Sequence, residues 1–182
     1  MFKRLQTPIL LVLLLLIIPP FIYLFKYSQP ISLNIDNKAD YELPFPGLLP
    51  NHPLYLLKAG RDQVLVFVVR DYEAKARLQL ELSDKRVRAG ELLVDDKKYE
   101  LAVTTYSKGE RYFEQAIETL SSAKIQGQTP TASILDQMSR SNEKHYKILM
   151  RSSKGLDSSL KERLSLVLAL NKQNSDNLQS LK

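Results

Sequence analysis

The 182-residue sequence has no cysteine and no tryptophan, and only two histidines and six glycines. Without cysteine there can be no disulfide, no thiolate metal site and no thioether-linked lipid anchor, although this decides nothing about redox compartment. The glycines are scattered, and none falls in the G-x-G-x-x-G or G-x-x-x-x-G-K-[ST] spacing that cradles phosphates. His52 and His145 are far apart and neither has an H-x-x-x-H partner, so no metal is expected. Asp95-Asp96 lacks the twelve-residue loop of a calcium site. Ser-x-x-Lys occurs at Ser121, Ser141 and Ser158, but no S-D-N or K-T-G partner follows, which leaves composition as its explanation. These gaps predict a non-enzymatic chain without cofactors.

A strong excess of one charge is also missing. The net charge is +6, and setting aside Lys3, Arg4 and Lys26 leaves 23 basic against 20 acidic residues, a net of +3. That is a mixed-sign surface without a polyanion stripe, so nucleic acid is not an expected partner.

What is present is unevenly distributed. Pro8 to Phe25 (PILLVLLLLIIPPFIYLF) is 18 residues without a charge. As a helix it spans roughly 27 Å, close to the ~30 Å hydrocarbon core of a bilayer. A cleaved signal peptide is the competing reading, but the residues after the apolar run, from Pro19 to Tyr27, include no small residue. The run therefore reads as an uncleaved anchor built on Pro8, Leu11, Leu14, Ile18, Pro19, Pro20 and Phe25, with Pro19-Pro20 kinking or loosening its outer end. Lys3 and Arg4 before it, against Lys26 after it, place the N-terminus in the cytoplasm. The expected organisation is a cytoplasmic tail (1–6), a transmembrane helix (7–26), an extended Pro-rich tether (27–53) and an extracytoplasmic helical bundle (54–182).

The tether ends in YELPFPGLLPNHPLYLLK, where Leu43, Phe45, Leu49 and His52 each precede a proline and are pushed to extended geometry. The rest reads as helical. A first helix opens at Pro53 or Leu54, with Asn51 as a cap, and runs to about Arg70, burying Leu54, Leu57, Val64, Phe67 and Val68. Asp71 caps a second, to about Val94, burying Ala74, Leu78, Leu82, Val87, Ala89 and Leu93. A third, Lys98 to about Ile125, buries Leu101, Ala102, Thr105, Tyr112, Phe113, Ala116 and Leu120, and ends at the Gly127–Pro130 turn. Thr131 to Ser153 buries Ile134, Leu135, Met138, His145, Ile148 and Leu149, and Gly155 ends it. Asp157 caps a fifth, lined by Leu160, Leu164, Val167, Leu168 and Leu178, which either joins the bundle or extends as an arm. The fold class is all-α, an up-and-down antiparallel bundle of four to five helices. Charge runs such as Glu73-Lys75-Arg77 and Glu81-Asp84-Lys85-Arg86 read as solvated surface with weak i,i+4 pairs, and His145 as packed or hydrogen-bonded at the bundle's end. Tyr99, Tyr106, Tyr112 and Tyr146 suit half-buried edges, with an exposed binding patch as the alternative.

Four blocks in order carry a resemblance to a known family. LPFPGLLPNHPLYLLKAGRDQV (43–64), KARLQLELSDKRVRAGELL (75–93), TTYSKGERYFEQA (104–116) and KHYKIL (144–149) resemble the bacterial domain-of-unknown-function family 5667. The residues matching its pattern are Leu43, Pro44, Pro46, Gly47, Leu49, Pro50, Pro53, Leu54, Tyr55, Leu57 and Lys58 in the first block, then Asp84, Lys85, Arg86, Ser107, Lys108, Tyr112 and His145. Ser83 and Gly109 stand where the family has alanine, and Asn51 where it has aspartate. The resemblance implies an extracytoplasmic helical domain on an anchor and no activity. The Pro-rich segment then reads as a stiff spacer whose Leu48, Leu49, Leu54 and Tyr55 clasp the bundle, or as a ligand for a partner's aromatic groove. The expected task is binding or organising an envelope polymer or a protein partner, with membrane lipid contacted through the anchor. The alternative is a sensor or accessory subunit of a membrane signalling complex.

Overall fold

In the computed structural model of the chain, residues 41–182 are described; the anchor residues (Pro8 to Phe25) and the topology charges (Lys3, Arg4) lie outside them. The described residues form five helices and no strand: α1 (Tyr55–Val68), α2 (Tyr72–Asp95), α3 (Tyr99–Ile125), α4 (Ala132–Ser152) and α5 (Ser158–Gln179). Three starts follow from short oxygen-bearing caps. Asp71 accepts from the Ala74 amide, Thr131 from Ile134 and Asp157 from Leu160, each satisfying one of the amides a helix start leaves open. Helix α1 starts at Tyr55, one or two residues later than expected, with Leu54 at its cap position and no side-chain cap, so Asn51 does not serve as one.

Helices α2 to α5 make the bundle. Cross-links between Gly90 and Tyr106, Ser83 and Gly109, and Gln79 and Thr119 run in opposite senses along α2 and α3. Arg77–Gln137 and Asp84–Ser141 set α4 parallel to α2, while Thr104–Arg163 and Glu110–Asn174 set α5 parallel to α3. The topology is up-down-up-down, with α2 and α5 on one diagonal and α3 and α4 on the other. Helix α5 therefore packs in the bundle, against α3 and α4.

The core is in two apolar layers. One joins Ala76, Leu80, Phe113, Ala116, Leu120, Ile134 and Met138 to Leu178 and Leu181. The other joins Val87, Leu93, Tyr106 and Leu149 to Leu160, Leu164 and Val167. Most expected core positions of α3, α4 and α5 are buried, whereas Ala74 of α2 is exposed and Ala76 and Leu80 take its place. Tyr106 is fully buried with its hydroxyl on Ser152, while Tyr146 is half exposed.

Helix α1 departs most from expectation. Leu54, Leu57, Val64, Phe67 and Val68 are all exposed, and its buried residues are Tyr55 and Asp62. The apolar stripe is real, but a polar anchor on the opposite face turns it outward.

Helices α2 and α3 approach closely because two glycines permit it. A Cβ on Gly90 would lie 2.4 Å from the buried Tyr106 ring. Gly90→Ala is therefore expected to destabilise by about 1–2 kcal/mol, overpacking exceeding the ~1 kcal/mol gain in helix propensity. Urea unfolding checks it, and a more stable variant would mean the ring is free to move aside.

Candidate functional site

Between the two apolar layers lies a polar one. Its centre is His145 on α4, whose imidazole is fully enclosed. Nε2 lies 2.9 Å from Asp84 Oδ1 on α2, and Nδ1 lies 3.0 Å from Glu110 Oε1 on α3. Both oxygens of each carboxylate also accept from further protein donors or are bonded to the ring. Ser141 Oγ and Tyr41 Oη donate to the two Asp84 oxygens, each at 2.6 Å. Asn171 and Asn174 of α5 donate to Oε1 and Oε2 of Glu110 at 3.3 and 3.1 Å. Phe113 meets the imidazole edge-on at 5.9 Å from the apolar side.

A ring with a carboxylate at each nitrogen is matched only when both nitrogens carry protons. Burial by itself lowers the pKa of His145, but the hydrogen bonds to Asp84 and Glu110 and their charges outweigh it, and the net pKa is pushed up to about 9. Burial, with the charge of Asp84, raises Tyr41 above the usual tyrosine range, so its hydroxyl stays a donor. The two carboxylates lie on opposite sides of the ring and cannot converge on one ion. Among the described residues no group of three such side chains is arranged to hold a metal.

A second polar anchor docks α1. Arg86 of α2 is buried between the rings of Tyr55 and Tyr112, 5.5 and 5.2 Å from their centroids, and lies 3.7 Å from buried Asp62. Asp62 also takes a 2.8 Å bond from Arg61. Lys58 reaches back to the carbonyls of Pro46 and Leu48, which binds the Pro-rich segment onto α1. Burial holds the Lys58 amine below its ordinary range, at about 8.

The residues singled out in the sequence are thus divided. Asp84, Arg86, Tyr112 and His145 belong to these two clusters, which corrects the reading of Asp84 and Arg86 as solvated surface and of His145 as an end position. Lys85 does form an outer i,i+4 pair with Glu81, at 2.5 Å. Ser107 is partly exposed and Lys108 exposed, apart from both clusters. In the Pro-rich segment Pro46 is buried and Leu43 packs on the second core layer, Pro44, Leu49 and Pro50 are half-buried, and Pro53 is exposed. Gly47 takes a φ of +67°, which glycine permits. The clasp is polar more than apolar, because Leu48 and Leu54 remain exposed while Lys58 and Tyr41 make the bonds. Sequence reasoning missed Glu110, Asn171, Asn174 and Asp62. For the first three, polar residues recurring on the apolar stripes of α3 and α5 were the available signal. A shallow groove of about 270 Å³ between α2 and α3, lined by Tyr72, Lys75, Gln79, Gln115, Glu118 and Thr119, is separate from both clusters.

The described residues thus form an all-helical bundle whose buried titratable groups join its helices. The chain belongs to the family described as Domain of unknown function (DUF5667), which matches residues 47–181. No curated protein and no solved structure matches it.

Two predictions follow from the clusters. The folded pKa of His145 lies above the ordinary 6.5, so its contribution is complete below pH 6.5 and is lost as pH rises through about 9. Thermal unfolding across that range should show stability falling by a few kcal/mol, and His145→Leu should flatten the fall while costing about 3–5 kcal/mol at pH 6. An unchanged pH profile in His145→Leu would assign the titration to another group. Arg86→Met should leave Asp62 facing only Arg61 and release α1, seen as faster amide exchange confined to residues 55–68. Uniformly faster exchange would instead mean that Arg86 supports the whole bundle.

Proposed function

We propose that the chain is a single-pass membrane protein of the bacterial envelope, whose helical domain is held outside the cytoplasmic membrane and acts by binding or organising an envelope component or protein partner, without catalysis. The observation that carries the reading is the 18-residue uncharged run, Pro8 to Phe25, upstream of a domain with a charged, mixed-sign exterior. The flanking charges Lys3 and Arg4 favour the outward orientation of that domain.

The ionic layer supports the non-catalytic part. General acid–base chemistry needs a titratable group within reach of a substrate proton. Here the oxygens of Asp84 and Glu110 are taken by His145, Tyr41, Ser141, Asn171 and Asn174, and the imidazole is enclosed. Such a layer favours one register of the helices, which suits a scaffold presenting fixed outer faces.

The test is topology in cells expressing the full chain. Alkaline phosphatase fused after Lys182 should be active, and the protein should remain in the membrane fraction after carbonate extraction. An inactive fusion with protease-shielded residues 41–182 would invert the orientation, and release by carbonate would remove the anchor.

A further inference from the structure

Helix α1 presents its apolar side to the outside. Leu56 and Phe67 are each 79% exposed, Leu57 is 73%, and Val64 and Val68 are 44% and 45%. At 100° per residue these side chains and Gly60 share one arc of about 120° in which no charged residue falls. Phe45, on the segment that Lys58 ties to α1, is likewise 79% exposed. The charges lie elsewhere on the helix. Asp62 is buried against Arg86, Lys58 is spent on backbone carbonyls, and Arg61 stands partly exposed at the edge of the stripe, with Arg70 exposed just beyond the helix. A continuous apolar stripe bordered by arginine, and free of exposed acid within α1, is the pattern of a helix lying in a lipid interface.

We infer that the outer face of α1, with Phe45, lies against the headgroup–acyl boundary of the bilayer that holds the chain. The inference rests on the anchored reading above, and chain length makes it reachable. Fifteen residues separate Phe25 from Tyr41, a span of at most ~50 Å when fully extended. Once Pro8 to Phe25 is inserted, the bilayer is the apolar phase always within that reach. A second copy fits less well. The stripe is 14 residues long, about 21 Å by a ~10 Å helix width, or on the order of 200 Å², against roughly 800 Å² per partner in a standard interface. Docking in lipid also explains why the polar face of α1 is turned inward, where Arg86 stacks between Tyr55 and Tyr112 and meets Asp62.

The absence of cysteine makes the test direct. Full-length Leu14→Cys, Phe67→Cys and Lys172→Cys proteins are each labelled with an environment-sensitive fluorophore. They are reconstituted in phosphatidylethanolamine–phosphatidylglycerol vesicles without quencher, with lipids carrying a quencher near the headgroup, or with lipids carrying one deep in the acyl chains for the Leu14 label. The Phe67 label should be blue-shifted and lose about half its emission to the shallow quencher, as expected of a site 5–10 Å into the interface. The Lys172 label, on exposed α5 surface, should be unaffected. Quenching at Leu14 but none at Phe67 would overturn the inference while leaving the anchor intact. Equal quenching at Phe67 and Lys172 would overturn it as non-specific adsorption. Disulfide-linked dimers of unlabelled Phe67→Cys on mild oxidation, with no quenching of the labelled protein, would overturn it in favour of a second copy. Quenching at Phe67 without quenching by deep-quencher lipids at Leu14 would uphold the α1 contact and remove the anchor instead.

Discussion

The domain depends on one protonated imidazole between two carboxylates. His145, Asp84 and Glu110 belong to α4, α2 and α3, and Asn171 and Asn174 add α5, so every bundle helix contributes to one hydrogen-bonded layer. Apolar layers tolerate sliding by a turn, because one leucine resembles the next. A layer whose donors and acceptors match at one register does not, since any slip strands a buried charge at a cost of several kcal/mol. Tyr41 extends the same layer to the Pro-rich segment, so the path of the chain into the bundle is set by the group that sets the helix register.

The α2–α3 pair is the bundle's tightest. Ser83 donates to the Gly109 carbonyl at 2.8 Å, and a Cβ on Gly109 would lie 2.9 Å from a Val87 methyl. Ser83 and Gly109 therefore meet across the seam between the two helices. The lack of a side chain at Gly109 on α3 admits the backbone of α2, and the Ser83 hydroxyl bonds across the gap. One helical turn toward the second core layer, Gly90 receives the Tyr106 ring in the same manner.

Much of the bundle was legible. The caps at Asp71 and Asp157 and the stripes of α3, α4 and α5 follow from local chemistry and a 3.6-residue period, which survive folding unchanged. The site was only half legible. Asp84 and His145 could be singled out as residues, yet the local run Glu81-Asp84-Lys85-Arg86 looks like any solvated face. Only the other helices show that Lys85 points out to Glu81 while Asp84 and Arg86 point in. Glu110 lies 26 residues from Asp84 and 35 from His145, and pairings at such separations leave no periodic trace.

Helix α1 shows why a stripe alone does not give a side. Periodicity finds Leu57, Val64 and Val68 on one face whether that face meets a protein core or another apolar phase. The side is decided by what the opposite face can bind. On α1 that face carries Tyr55, Lys58 and Asp62, and α2 offers it Arg86, already walled by Tyr112. Turning the helix over would bring Leu57 and Val64 to an arginine that no apolar side chain can pair, and would carry Asp62 away from it. An unpaired buried charge costs several kcal/mol, whereas each apolar side chain left in water forfeits about 1.5–3 kcal/mol. Five such chains, 44–79% exposed, forfeit roughly as much as that one charge costs or more. The ion pair with Arg86 holds α1 on the domain in this orientation against that cost, and the lipid contact inferred above would supply the apolar phase that removes it.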